Sequence, residues 1–327
     1  MTTADFAVIS DRAIMFAGII YALALLAHLL EWAGSLSRPA QAARVVVTTA
    51  VTTGAPAGGA TALEPPPPAG EDQRALRVET AGRVGVALTA VAAALHLTGV
   101  VTRAFASDPV RVPWGNMYEF TIAGALGVSV IYLALLRRLR LRWMGLFVTA
   151  FEVVVLMAAN LLLEQAAGPL VPALHSYWLA VHVGAAVLAT GAFSVGALAS
   201  TAYLLRGPLE RRGGAVAEML PSRDALDRLA YRVHAVGFPL WTFAALIAGP
   251  IWAEYAWGSY WNWDPKEVWA FITWVVYAAY LRARATAGWR GRTAAIIALI
   301  AFATLLFNFV GINFFFGATS QHSYAGG

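Results

Sequence analysis

WAEYAWGSYWNWDPKEVW, residues 252–269, decides how the rest of the chain is read. Five of the twelve tryptophans fall inside it, beside Tyr255 and Tyr260, yet it also holds Glu254, Asp264, Lys266 and Glu267. A helix that faces lipid on all sides would not carry four charged groups. Large flat rings beside charge suit a membrane–water interface, where Trp and Tyr present an apolar body and a polar tip, and they also suit a surface that holds a flat amphiphile. Gly258 and Asp264-Pro265 interrupt helical periodicity. The stretch therefore reads as a short loop or half-helix at the surface, followed by a helix that starts near Pro265 with Asp264 as its cap. The bland alternative is an interfacial aromatic belt. A belt scatters its rings over several helices, whereas these crowd one loop together with carboxylates.

Outward from that stretch, the 327 residues are 59% hydrophobic and 13% charged, with a mean hydropathy of +0.64. Apolar runs of the length that crosses a hydrocarbon core recur at 13–32, 81–101, 117–136, 143–163, 177–205, 229–252, 267–281 and 293–316. The expected fold is an all-α polytopic membrane protein with about eight transmembrane helices and an outward-facing tryptophan-rich loop. Residues 1–33 form a first helix with no cleavable leader, and 34–79 a cytoplasmic linker rich in Pro, Gly and Ala, including the proline run 65–68. Residues 80–327 form a seven-helix core. The chain has no cysteine, which excludes disulfide exchange, thiolate catalysis and iron–sulfur ligation within it.

The net charge of +5 comes mainly from arginine clusters at span ends, so it reports topology and anionic lipid rather than nucleic acid. Arg137, Arg138, Arg140 and Arg142 close the third span, and Arg282, Arg284, Arg290 and Arg292 the seventh, with a weaker excess after the fifth. In an alternating bundle all three ends share one side, expected to be the cytoplasm. The tryptophan stretch and both termini then face outward.

Six histidines stand in spans otherwise poor in ionisable groups. On this topology His96, His175, His182 and His322 lie near the outer face, level with the tryptophan stretch, and His28 and His234 nearer the inner face. Two neutral imidazoles approaching one metal from opposite sides of a flat aromatic-lined surface is the geometry of a six-coordinate haem. Metal–nitrogen bonds of about 2 Å bring the two coordinating nitrogens within about 4 Å of each other across the metal. Indoles would stack on the porphyrin, and Arg103, Arg111 and Lys266 are candidates to pair with its propionates. A hydrogen-bonded packing role is the competing reading for each histidine. His175 and His182 are seven residues apart; if the helix already includes His175 they share one face about 10 Å apart along its axis, and both cannot ligate one iron.

The run WAEYAWGSYWNWDPKEVWAFITWVVYAAYL resembles the WWD motif of the haem-handling proteins of cytochrome c maturation, of the CcsA (ResC) type and more distantly the CcmC type. PWGNMYE at 113–119, LVPALHSYWLAVHV at 170–183, YRVHAVGFPL at 231–240 and the terminal QHSY at 321–324 resemble further segments of that family. The resemblance implies that 80–327 is a haem-handling core, holding haem b at the outer face with His182 and His322 as axial ligands. Trp252, Trp257, Tyr260, Trp261, Trp263, Asp264, Trp269 and Arg103 would make up the rest of the site. It implies presentation of the haem to the CxxCH thiols of an apocytochrome c, as a subunit of a haem lyase complex in a bacterial plasma membrane. The implied partners are a CcsB (ResB) type membrane protein and thiol-reducing proteins. An amphiphile exporter and a bis-histidine protein exchanging electrons with a quinone are the rival functions. One departure stands out: family members commonly carry a histidine after the seventh span, proposed to ligate haem at an inner site, where this chain has Arg282.

Overall fold

The computed structural model describes residues 1–36, 71–167, 176–212, 215–286, 288–316 and 319–322. Among them every regular element is helical. Seven rods are long and apolar enough to cross a membrane: α1 (Thr3–Leu36), α2 (Glu71–Phe105), α3 (Met117–Leu136), the rod containing α4 (Gly145–Leu162), α5 (Tyr177–Arg211), the continuous rod Arg223–Trp257, and Arg292–Phe315. A short α6 (Ala215–Met219) precedes the sixth of these, which consists of α7 (Arg223–Phe243), a π-turn at Ala244–Ala248 and α8 (Gly249–Trp257). The seventh consists of α10 (Arg292–Leu306), a π-turn at Phe307–Gly311 and α11 (Ile312–Phe315). An eighth rod, α9 (Pro265–Thr286), lies between them and falls outside the apolar set, with Lys266, Glu267, Arg282 and Arg284 at its ends. The chain is a multi-pass membrane protein.

Several sequence boundaries move. α1 and α2 reach into the expected linker, to Leu36 and from Glu71, and the rest of that linker lies outside the described residues. The sixth rod continues to Trp257, so of the two readings, short loop or half-helix, residues 252–257 of the aromatic stretch are helical and the loop begins at Gly258. It stops at Gly258, whose φ of 70° an L-residue adopts only with strain, and whose N–H closes on the Glu254 carbonyl. His96 is not level with the tryptophan stretch. It sits nine residues, about 14 Å, inside α2 from Phe105. There it faces Glu152 of α4 at 3.9 Å and Tyr21 of α1 with ring centres 6.1 Å apart.

α5 is the centre of the bundle, packed by α3, α7, α8 and α10. Its small residues allow that. A Cβ on Gly191 would come within 2.7 Å of the Gly127 carbonyl oxygen of α3, so the two backbones touch in the manner of small-residue membrane interfaces. α1 to α4 form one buried cluster around Ile14, Tyr21 and Ile122. α5, α7, α9 and α10 form another around Phe193, Trp241 and Tyr277. Where these two halves diverge over α5, they leave the chamber described next.

Candidate functional site

The chamber has a volume of about 470 Å³, within the usual range for small-molecule sites of about 300–1,000 Å³. Its polar end holds His182 from the second turn of α5, His322 from the tail, and Lys266 and Glu267 from the first turn of α9. Trp252, Tyr260 and Trp261 line the same end.

Both histidines are locked by one ring nitrogen. His182 Nδ1 lies 2.9 Å from the Ala244 carbonyl. A carbonyl only accepts, so Nδ1 carries the proton and Nε2 keeps its lone pair. That carbonyl opens the π-turn and also accepts from the Gly249 N–H, five residues on. Pro250, lacking an N–H, cannot continue the ordinary i→i+4 ladder at this point. The helix defect thus holds the imidazole. His322 Nδ1 donates in the same way to Asp264 Oδ1 at 3.0 Å.

Asp264 organises the loop, the helix and the tail together. Its Oδ1 also accepts from the Lys266 N–H (3.0 Å) and the Ser320 hydroxyl (2.8 Å), and its Oδ2 from the Gln321 N–H (2.6 Å). Glu267 returns the cap by accepting from the backbone N–H groups of Asp264 (3.1 Å) and Asn262 (2.8 Å), a capping box spelled DPKE. Burial works against ionisation of Asp264, but the bonds from His322 and Ser320 outweigh it and bring its carboxyl down to about 2. A carboxylate behind an imidazole fixes the tautomer and makes the outer nitrogen a better ligand.

The five tryptophans of the stretch have different surroundings. Trp252 is buried and touches both imidazoles, stacked on His182 at 5.9 Å and edge-on to His322 at 5.4 Å. Trp257 packs on His322 at 4.5 Å and on Trp252 at 4.8 Å. With Trp114 and Trp178 it covers Leu179 and Val183. Trp263 is 72% exposed, with a φ of 57°, and touches Trp261 edge-on at 5.9 Å; Trp269 packs on Phe307 at 4.2 Å. Trp257, Trp263, Asp264 and Trp269 do not line the chamber; Trp252, Tyr260 and Trp261 do.

Arg103 is placed elsewhere. Its guanidinium is 3% exposed and held by Glu119 (3.4 Å), Asp11 (3.1 Å) and the Gln165 carbonyl. Arg111 makes a two-point bond to Glu119, at 2.6 and 3.1 Å. These arginines brace the ends of α1, α2 and α3, and neither lines the chamber. Of the cations considered for propionates, only Lys266 does. His28 packs against Gly85 and Gly145 and pairs with Glu31 at 3.3 Å. His234 packs among Phe193, Tyr277 and Tyr280 over Gly196. The two stand in separate helix groups. His175 lies outside the described residues.

Two chamber elements had no sequence signature of their own. One is the Ala244 carbonyl, for which Gly249-Pro250 is the nearest hint. The other is Asn308 in the second π-turn, whose side-chain Oδ1 is buried without a hydrogen-bond partner among the described residues while the residue lines the chamber. π-turns recur at functional sites, and here one stands on each side of the chamber.

The profile of the family described as Cytochrome C assembly protein matches residues 114–318. The chain belongs to that family. It is similar to the protein named cytochrome c biogenesis protein CcsA of Gloeobacter violaceus, 34% identical over 302 residues that cover 76% of this chain and 88% of that protein. The CcsA of Synechococcus elongatus is 37% identical over 258 residues, covering 65% of this chain and 78% of its own length. That of Porphyra purpurea is 33% identical over 256 residues, covering 65% and 78%. The cytochrome c assembly profile takes in α3 to α11 with His182 and the whole tryptophan stretch, and stops four residues before His322.

Proposed function

We propose that the protein acts in cytochrome c maturation by holding haem b at the outer face of a bacterial plasma membrane and presenting it to apocytochrome c. The observation that carries this reading is the pair of anchored imidazoles at the polar end of an apolar chamber. With each Nδ1 bound to a fixed acceptor, each Nε2 would be left to coordinate iron, and His182 and His322 would hold the haem. Trp252, Tyr260 and Trp261 supply flat contact surface, and Lys266 a cation for a propionate. The Cytochrome C assembly match and the names of the relatives support the same assignment.

In the reaction, a cysteine S–H of the CxxCH segment adds across a haem vinyl group. The sulfur bonds to the vinyl carbon next to the ring and the proton goes to the terminal carbon, with no net oxidation. This chain contributes binding and orientation, which raise the effective concentration of thiol and vinyl. Having no cysteine, it relies on partner proteins to keep the acceptor thiols reduced, and on a CcsB (ResB) type membrane subunit to complete the synthase. Absorption spectra of the purified protein should show a six-coordinate low-spin haem in both oxidised and reduced forms. Co-expression with the membrane partner and a CxxCH acceptor should give a haem-bearing acceptor that survives denaturing electrophoresis. Haem moved across the membrane without that product would favour an exporter, and reversible electron exchange with a quinol an electron-transfer protein.

Orientation has its own test. Arg138 and Asn262 are both exposed, one in the arginine cluster after α3 and one in the tryptophan loop. An impermeant thiol reagent added outside intact cells should label Asn262→Cys and leave Arg138→Cys unlabelled. The opposite pattern would invert the topology.

A further inference from the structure

We infer that the ligand of the histidine chamber arrives sideways out of the bilayer, through a slot between α3–α4 and α10–α11, and is offered to its acceptor at a separate mouth framed by Tyr260 and Trp261. The inference rests on the haem reading above and adds a route to it.

α3 and α10 both pack on α5, and the chamber extends between them along the α5 face. On one wall it is lined by Gly124, Phe151, Val154 and Ala158, and on the other by Phe302, Leu306, Phe309 and Phe314. Along the α4 side the lining runs from Phe151 to Leu163, about 18 Å at about 1.5 Å per residue, over half of the roughly 30 Å hydrocarbon thickness. The hydroxyls of Thr121 and Ser194 in this lining turn back to carbonyls of their own helices, at 2.7 and 2.8 Å. Below the histidines the passage therefore presents almost unbroken apolar surface.

Its rim is open to lipid. Val154 is 66% exposed, Leu162 78% and Phe314 64%, and all three also line the chamber. Val154 lies in the middle of α4, and Leu162 and Phe314 lie at the ends of α4 and of the seventh rod. On a chain that crosses the membrane, exposed apolar side chains placed in this way suit acyl chains. The other mouth has different chemistry, with Tyr260 60% exposed beside Trp261, Lys266 and His322. Between that mouth and the body of α5, Trp114, Trp178 and Trp257 cover Leu179 and Val183. A flat molecule with two large apolar faces and an anionic edge partitions into the bilayer, because its faces are driven out of water. The slot offers it a path whose first polar groups are Asn308 and the two imidazoles. Its anionic edge then meets Lys266 at the aqueous end.

Gly124 allows a direct test, because a side chain added there meets nothing within 4 Å and projects into free space. The protein is reconstituted into vesicles and offered haemin either dissolved in donor lipid vesicles or carried by albumin in water, and the growth of the low-spin spectrum is followed. Wild type should load from donor vesicles, and Gly124→Trp should load more slowly by a factor of about ten or more, since an indole overfills the passage. Val154→Trp at the rim should also slow loading. Val130→Trp, on an exposed part of α3 outside the chamber lining, should load like wild type. All variants should reach the same low-spin spectrum once filled. Loading that is faster from albumin, with neither Gly124→Trp nor Val154→Trp slowing delivery from vesicles, overturns the route and leaves the haem reading standing. Wild type that acquires no low-spin haem from either donor overturns both.

Discussion

Alanine at His182 or at His322 is expected to abolish the six-coordinate low-spin spectrum and, with it, formation of holocytochrome. Each imidazole is held on its Nδ1 side by an acceptor from another element, Ala244 for His182 and Asp264 for His322. The other groups at the polar end are poor substitutes for a lost imidazole: an indole has only a donor, Lys266 is an ammonium when it faces a propionate, Glu267 is taken up by the Asn262 and Asp264 N–H groups, and Tyr260 stands at the exposed mouth. Free imidazole added to either variant should refill the vacant position and partly restore the spectrum, separating loss of a ligand from loss of fold. His175→Ala should keep the signature, because the imidazole that lines the chamber from the second turn of α5 is that of His182. A His175→Ala protein that loses it while His182→Ala keeps it would reverse the assignment; retention in all three variants would sink the haem site itself.

The second large effect is expected at a residue that never touches the ligand. Asp264→Ala removes the acceptor for four bonds, three of them from the tail residues Ser320, Gln321 and His322. Against α9 the tail then keeps the longer bond from Lys266 Nζ to the His322 carbonyl, at 3.4 Å. Loss of a carboxylate behind a metal-binding imidazole typically costs about 10–100-fold in affinity, and a loss of that order is expected in haem affinity. Haem titration of the purified variant should show it, with the His322 ligand exchanged for imidazole more readily than in wild type. Asp264→Asn keeps an acceptor oxygen and should fall between the two. Unchanged affinity in Asp264→Ala would remove the positioning role. The pH dependence follows from the sign of the shift. With its carboxyl held down at about 2, Asp264 contributes its full stabilisation above the ordinary aspartate range, and that contribution fades only as pH falls toward 2. Between about pH 5 and 8 ionisation of Asp264 itself should therefore add no pH dependence to haem binding.

What could be read from the chain alone was whatever is encoded by neighbours in sequence. Apolar runs gave the spanning rods, since crossing a hydrocarbon core requires a continuous apolar length. Asp264-Pro265 announced the start of α9, because a cap and a first-turn proline act within one helical turn. His182 and the tryptophan stretch were legible as residue types out of place in lipid and through the family resemblance they carry. The π-turns were not, since they depend on how a helix is packed as much as on Gly249-Pro250. Nor was the depth of His96, which an outer-face assignment misplaced by counting only from the end of an apolar run. The same limit applies to Arg103, a plausible cation for a propionate until Glu119 and Asp11 close around it. His322 is joined to Asp264 across 58 residues and His182 to Ala244 across 62. Contacts of that separation exist only once the helices have packed, and no local propensity records them. The sequence by itself therefore determined the class of protein, the helix starts and the residues capable of ligation. Tertiary packing alone decided which of those residues meet at the chamber, because a ligand pair needs two imidazoles brought to ångström register from elements far apart in the chain.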